Sequence, residues 1–285
     1  MLGKSRFFVA LHLSVLLFGF AGLFGKWLPI PSEQIVWGRT LFASIAIGCW
    51  FLFQPSLFVF PAKASITTFL FSGALLAFHW IAFFSSIQLS SVTVGLLTFS
   101  SFPLFVIILA PFTTKEPFSL SDLGVVSLIL LGTAQLLPWD DLSGDLFQGV
   151  VWGLGAGLSF ALLNLVNKTL ISQYKSLQIT FYQCLVASLI LIPFSVQHPM
   201  PQAFPQLGLL VLLGVLFTAV AHSLFIFSLK ELRTQLVSIT ACMEPVYGGL
   251  AALLFLGERP EPMILLGGSL IIGATLLASF SSSYT

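Results

Sequence analysis

Glu244 stands near the middle of an apolar stretch that runs from Thr234 to Leu256. A carboxyl in such a place could take up and release a proton, or pair with the amine of a bound molecule. Hydrogen-bonded to a neighbouring helix, it would only hold the structure together. Arg39 lies about two turns into another apolar stretch. Its planar fork suits bidentate contact with a carboxylate; a side chain of that length also reaches the headgroup region by snorkelling or pairs with Glu33. His79 and His222 fall in the third and eighth stretches, where two imidazoles either relay protons or each bond a single neighbour. Asn164, Asn167, Tyr182 and Gln183 fall in the sixth and seventh; amides there bridge helices or face a cavity. Trp80, with Trp37 and Tyr247, offers ring faces for a cavity wall or for packing. Lys26 reads as a boundary residue. Pro103 and Pro245 each interrupt an apolar stretch and remove the hydrogen bonds that the carbonyls of Phe99 and Ala241 would accept. They are candidate hinges of a gate, or packing kinks satisfied by Ser100 and Thr240.

The elements that must carry these groups follow from composition. Of 285 residues, 57% are hydrophobic and 7% charged, against roughly 25% charged in an ordinary soluble domain. A soluble chain of this length could not bury so much apolar surface. About ten stretches are long enough to cross a bilayer: 7–28, 33–53, 66–88, 91–112, 119–138, 147–171, 176–195, 206–229, 234–256 and 262–280. Turn-formers separate them, including Pro29 and Pro31, Gln54-Pro55, Lys115-Glu116-Pro117, Asp140-Asp141, His198-Pro199 and Glu258-Arg259-Pro260. Alternation at a period of two, the mark of a membrane barrel, is missing. Lys4 and Arg6 precede the first stretch as in a signal peptide, but that stretch continues to about Leu28 without a small-residue cleavage site, so it reads as a spanning helix. The expectation is an all-α integral membrane protein of ten transmembrane helices.

Charge orients it. With the N-terminus in the cytoplasm, Lys4, Arg6, Lys63, Lys115, Lys168, Lys175, Lys230 and Arg233 lie inside, and Lys26 and Arg259 outside. Both termini are then cytoplasmic, in the cell (inner) membrane. The halves match at an offset of 142 residues: Phe18 with Phe160, Lys26 with Lys168, Pro103 with Pro245, Glu116 with Glu258. Five spans per half, an odd number, make the second half enter from the opposite side. The expected organisation is two inverted five-helix repeats, 1–140 and 147–285, around a central cavity.

Several functions are excluded or disfavoured. The net charge of +1 gives no field for nucleic acid. Cys49, Cys184 and Cys242 all lie in apolar stretches, which argues against a disulfide framework or a metal cluster, and no cofactor is expected. The sequence has no phosphate-binding Gly-x-x-x-x-Gly-Lys-Ser/Thr loop, no His-Glu-x-x-His and no Gly-x-Ser-x-Gly. ATP therefore does not drive the chain from within, and short loops leave little room for an active site.

Phe18-Gly19 followed by Lys26 and Arg39, then Glu244-Pro245-Val246 and Gly257-Glu258-Arg259, resemble the motifs of the EamA type in the drug/metabolite transporter superfamily. Phe18 replaces the usual Trp, and Phe102-Pro103-Leu104 with Lys115-Glu116 gives a weaker first-half version. The resemblance covers essentially the whole chain. It implies ten helices in two inverted repeats around a central cavity, and a small-molecule substrate that it does not specify. The residues then favour a secondary transporter working by alternating access. The first expectation is an exporter of an amino acid or similar zwitterion. The alternative is a nucleotide-like or S-adenosylmethionine-type importer. In other classes stand a membrane-embedded enzyme and a non-transporting membrane subunit. The bilayer is a necessary partner, a proton the candidate coupling ion, and helices five and ten are left as scaffold or a homodimer contact.

Overall fold

A computed structural model describes residues 2–113, 120–135, 139, 142–197 and 203–280. Lys115, Glu116, Pro117, Asp140, Asp141, His198 and Pro199 lie outside the described residues. The elements are α1 (Leu2–Ala21), α2 (Phe24–Trp27), α3 (Ser32–Phe53), α4 (Lys63–Leu89), α5 (Val92–Phe99), α6 (Phe102–Thr113), α7 (Leu120–Ala134), α8 (Asp145–Leu170), α9 (Ser176–Ile190), α10 (Ile192–Gln197), α11 (Phe204–Gly214), a π-helical turn (Val215–Val220), α12 (Ala221–Ser228), α13 (Thr234–Ala241), α14 (Glu244–Leu256) and α15 (Pro262–Phe280). No strand occurs among the described residues. Helix is the local solution for an open chain in hydrocarbon, because every backbone N–H and C=O is then satisfied within its own segment.

Seven helical runs among the described residues are long and apolar enough to cross a membrane: Ser5–Trp27, Ser32–Phe53, Lys63–Leu89, Val92–Leu109, Asp145–Leu170, Phe204–Ser228 and Thr234–Leu256. The shorter Ser176–Ile190 and Pro262–Ala274 are also apolar. Side chains are distributed as lipid demands. Large apolar groups such as Leu52, Phe53, Phe112 and Leu254 point outward, where a soluble protein would place charge. Arg39, His79, Asn164, Gln183, His222 and Glu244 point inward. A polar group buried in such an interior must find a partner or leave a costly gap, so the inward set marks where chemistry is held.

Two helices are broken at matched places. α5 gives way to α6 at Ser100-Ser101, and α13 to α14 at Cys242-Met243. The Cys242 thiol lies 3.5 Å from the Ser100 carbonyl, so the two breaks touch. The sequence suggests kinks within continuous helices at Pro103 and Pro245. Each proline instead occupies the second position of a new helix, where its missing N–H has no intrahelical partner to lose. The carbonyl of Leu96 is taken by the Ser100 hydroxyl at 2.8 Å and that of Leu236 by the Thr240 hydroxyl at 2.9 Å.

Candidate functional site

Arg39 is carried on the inner face of α3 and is 2% exposed. Its guanidinium lies over the Trp80 ring, 3.8 Å from the centroid. Nε donates to the Thr218 hydroxyl at 2.9 Å and Nη2 to the Phe217 carbonyl at 3.2 Å. Both acceptors belong to the π-helical turn. Thr218 donates its own proton to the Leu213 carbonyl at 2.7 Å, which leaves its lone pairs facing Arg39. A widened turn thus supplies the acceptors that a regular helix would keep for itself. A guanidinium has five N–H groups, so others remain for a bound molecule. Arg39 therefore reaches neither Glu33 nor the headgroups; Glu33 takes the Ser32 hydroxyl at 3.3 Å.

Glu244 begins α14 and is 4% exposed. Among the described residues its carboxyl has no hydrogen-bond partner and no ion pair with Arg39, although both line the same cavity. The first turn of α14 favours negative charge there. α1 can come this close only because Gly19 has no side chain: a Cβ on it would lie 2.9 Å from the Glu244 carbonyl oxygen and 2.9 Å from the Gly248 nitrogen.

The cavity is lined by Phe18, Ala21, Arg39, His79, Trp80, Phe83, Phe99, Phe160, His222 and Glu244. About 20 Å³ of it admits the centre of a water-sized sphere, room for about one water. In this conformation it is a narrow chamber. A larger, nearly apolar groove bounded by Trp50, Leu177, Val215 and Phe227 is more open and has no charged lining. The imidazole of His79 donates from Nδ1 to the Ala156 carbonyl at 3.0 Å, which leaves Nε2 as an acceptor. His222 Nε2 is 3.2 Å from Gln183 Oε1, and its ring meets Trp80 at 5.6 Å between centroids.

The structure therefore brings together Arg39, His79, Trp80, His222 and Glu244 of the sequence-selected residues. Gln183 stands one hydrogen bond behind His222. Asn164 and Asn167 lie deeper, against α13 and α9. Tyr182 is placed elsewhere: its hydroxyl donates to the Val59 carbonyl at 2.8 Å, tying α9 to the loop before α4. Its ring sits between Phe69 and Phe181, so it does not face the cavity. Lys26 is more than a boundary residue, because its ammonium donates to the carbonyls of Ser90 and Gln88 at 3.0 and 3.5 Å. Sequence reasoning missed Thr218 and the Phe217 carbonyl, since nothing in the composition of 215–220 signals a π turn. It also missed Phe83 and Phe99, which one apolar stretch among many cannot advertise. Phe18 and Phe160 were detectable through their 142-residue offset, and both line the chamber.

The EamA-like transporter family model matches residues 7–137 and again 147–280. The chain belongs to this family. A Bacillus subtilis (strain 168) transporter, YxxF, is 28% identical over 96% of the chain and 89% of its own length. The S-adenosylmethionine uptake transporter of Rickettsia bellii is 27% identical over 88% of the chain and 84% of its own length. The threonine/homoserine exporter RhtA of Escherichia coli K12 is 29% identical over 79% of the chain and 73% of its own length. A solved crystal structure superposes with a TM-score of 0.72 at 15% identity, covering 98% of this chain and 99% of that one. At that identity the likeness concerns the fold. This EamA-family chain is thus a multi-pass membrane protein of a transporter family, with a narrow chamber inside it that is lined by an arginine, a glutamate, two histidines and aromatic rings.

Proposed function

We propose that the protein is a secondary transporter for a small zwitterion with an α-amino-acid head, working by alternating access as an exporter. Arg39 holds the carboxylate and Glu244 the ammonium. The observation that carries this reading is that an arginine and a glutamate, each nearly fully buried, line one chamber without a hydrogen bond between them. Buried charges left apart are costly, and a zwitterion placed between them removes the cost at both ends. The relatives' names support the same head group: S-adenosylmethionine, threonine and homoserine all carry an α-ammonium and an α-carboxylate. The S-adenosylmethionine-type alternative draws on the rings of Trp80, Phe83, Phe99 and Phe160, which offer faces to a sulfonium or an adenine. The chamber would have to widen for either substrate.

In this reading ten spans form two inverted repeats, 1–140 and 147–285, with both termini cytoplasmic in the inner membrane. The broken helices α5/α6 and α13/α14 are the gates, hinged beside Pro103 and Pro245. Discontinuous helices at corresponding places in two halves are a frequent mark of a transport site. Glu244 carries the coupling proton, with His79 and His222 beside it. Contacts through α7 and α15, the fifth and tenth spans, account for any homodimer.

The test is thermal shift of the purified protein with L-threonine and S-adenosylmethionine. Threoninol, which lacks the carboxylate, and 3-hydroxybutyrate, which lacks the amine, serve as controls. A ligand of the folded state raises the melting temperature. The zwitterions should do so and the controls should not. Arg39→Gln should weaken zwitterion binding about 10- to 100-fold, the worth of a charged hydrogen bond, while leaving threoninol unchanged. The reading fails if none of the twenty amino acids nor S-adenosylmethionine shifts the melting temperature, or if Arg39→Gln binds them as the parent does.

A further inference from the structure

A second polar cluster lies outside the chamber, between α8, α9 and α13. Asn164 Nδ2 donates to the Ser238 hydroxyl at 3.0 Å, and Gln183 Nε2 to Asn167 Oδ1 at 2.7 Å. Through His222 Nε2, 3.2 Å from Gln183 Oε1, the cluster is hydrogen-bonded to the chamber wall. Three of its atoms find no partner among the described residues: Asn164 Oδ1, Asn167 Nδ2 and Gln235 Oε1. Asn164, Asn167, Gln183 and Ser238 are fully buried and Gln235 nearly so.

Reorienting the amides does not cure this. Ser238 spends its proton on the Thr234 carbonyl at 2.8 Å, so Asn164 must present N–H to it and its oxygen stays free. If the His222 tautomer and the Gln183 amide are both reversed, Asn167 must turn as well, and its oxygen is left over in place of its nitrogen. The leftovers also share one seam. α8 and α13 run antiparallel, with Asn164 opposite Ser238 and the Lys168 ammonium 2.8 Å from the Leu232 carbonyl. Three residues along each helix from the Asn164–Ser238 pair, helical register puts Asn167 and Gln235 on the same side of the seam, although the two do not bond each other. In the arrangement seen, two free acceptors and one free donor match a group that both donates and accepts. Water does so, and so does a hydroxyl. A carboxylate cannot satisfy the two oxygens in either arrangement, and an ammonium cannot satisfy Asn167 Nδ2 in the arrangement seen.

The residues 142 positions earlier carry none of this. Gly22, Gly25, Leu41 and Leu96 stand where Asn164, Asn167, Gln183 and Ser238 stand. Thr93, the counterpart of Gln235, has its hydroxyl taken by Glu258 at 3.1 Å.

Resting on the transport reading, we propose that Asn164, Asn167, Gln183, Gln235 and Ser238 form a hydrated station on the transport path, on the Lys168 side of the chamber. It holds water at rest and receives a neutral hydroxyl or amide of the substrate in transit. The row of amides lies on that side only; the matched positions on the Lys26 side carry glycine, leucine and a threonine already held by Glu258.

Thiol labelling tests this without a substrate. Single cysteines are placed by Ser238→Cys, Gln235→Cys and Leu96→Cys in protein carrying Cys49→Ser, Cys184→Ala and Cys242→Ala. Each variant is reconstituted in vesicles and treated with a membrane-impermeant cationic methanethiosulfonate from either side. The thiols from Ser238→Cys and Gln235→Cys should react from the Lys168 side at least 100-fold faster than the thiol from Leu96→Cys. Equal, slow reaction of all three in variants that keep the parent's melting temperature would overturn the proposal. Asn167→Leu is the second arm. A mere packing defect would be relieved by leucine, which would leave L-threonine counterflow unchanged, and that result also overturns it. A loss of counterflow with the melting temperature kept supports the station. Labelling that succeeds in protein that binds no zwitterion would discard the transport reading and keep the hydrated seam.

Discussion

The Lys26 end and the Lys168 end of the molecule share one device and differ in everything beside it. Lys26 donates to the carbonyls of Gln88 and Ser90 at the end of α4, and Lys168 to those of Leu229 and Leu232, both at 2.8 Å, after α12. Each cation closes the C-terminal end of a helix, where unpaired carbonyls gather negative charge. The two ends are far apart. α4 spans 27 residues from Lys63 to Leu89, roughly 40 Å at 1.5 Å per residue. Its Lys63 end adjoins Tyr174 just beyond α8, through the Ala62 N–H at 3.0 Å from the Tyr174 hydroxyl. Beside Lys26 the interior is Gly22 and Gly25 closed over by Phe84, Ile87 and Val92. Beside Lys168 it is a row of amides with atoms to spare. The lesson is that scaffold contacts are duplicated and chemistry is not. The chamber repeats the pattern: Phe18 faces it with its counterpart Phe160, while Trp80 is matched by His222 and Glu244 by an apolar Phe102.

The sharpest way to break that contrast is to remove the unduplicated charge. Glu244→Gln keeps the shape and the uncharged form of the carboxyl but cannot exchange a proton. Accumulation of L-threonine driven by a pH gradient in vesicles should fall more than tenfold, while exchange at equal pH persists with weakened affinity, because the amide oxygen still accepts from the ammonium but without the charge. Phe102→Leu, at the matched position, loses the ring contacts with Phe99 and Phe160 and should cost about 1–3 kcal/mol of stability while leaving coupling intact. Normal accumulation by Glu244→Gln would return the carboxyl to a structural role and move coupling to His79 and His222.

The next step down compares Gly25 with Asn167. A Cβ on Gly25 would sit 2.8 Å from Ile87 Cγ2 and 3.2 Å from Phe84 Cδ1. Gly25→Ala should therefore destabilise by about 1–2 kcal/mol through overpacking, seen as a lower melting temperature. Asn167→Ala should shift stability by less than about 1 kcal/mol, because it deletes one unpartnered atom and creates another on Gln183, and should instead slow counterflow. The comparison fails if the two variants exchange phenotypes.

How much of this was legible follows the same division. The helical segments could be read because twenty apolar residues in lipid leave the backbone few choices. Arg39, His79, Trp80, His222 and Glu244 could be picked out because a polar group in an apolar run is conspicuous. Their convergence was not visible, nor was the π turn that holds Arg39, because sequence spacing within one helix says nothing of which neighbour it meets. Pro103 and Pro245 marked the right places while suggesting the wrong geometry. Proline ends one helix or starts the next with equal ease, and only the chain path decides. Tyr182 misled for a simpler reason: a hydroxyl two or three turns from a helix end can reach a loop as readily as a cavity. Asn164 and Gln183 were chosen for a site and belong to the seam behind it.

The smallest expected effect concerns a contact that crosses between the halves. Glu258, just past α14, accepts the backbone N–H of Val92 at 3.0 Å and of Thr93 at 3.2 Å, with the Thr93 hydroxyl at 3.1 Å. A second-half carboxylate thus caps the first turn of a first-half helix, α5, where it meets both the free N–H groups and the positive end of the helix. Glu258→Gln keeps one carbonyl oxygen and loses the charge. The expected cost is about 1 kcal/mol, a fall in melting temperature of about 2–4 °C for a chain of this size. The cap holds α5 in place at the Lys26 end, so loosening it should also let water reach the Leu96 position. In the cysteine-free background, adding Glu258→Gln should speed methanethiosulfonate labelling of the Leu96→Cys variant several-fold and leave the Ser238→Cys variant as it was. An equal rise at both thiols would mean general loosening of the fold. No rise at the thiol from Leu96→Cys would mean that apolar packing alone closes that end, with Glu258 as an ordinary helix cap.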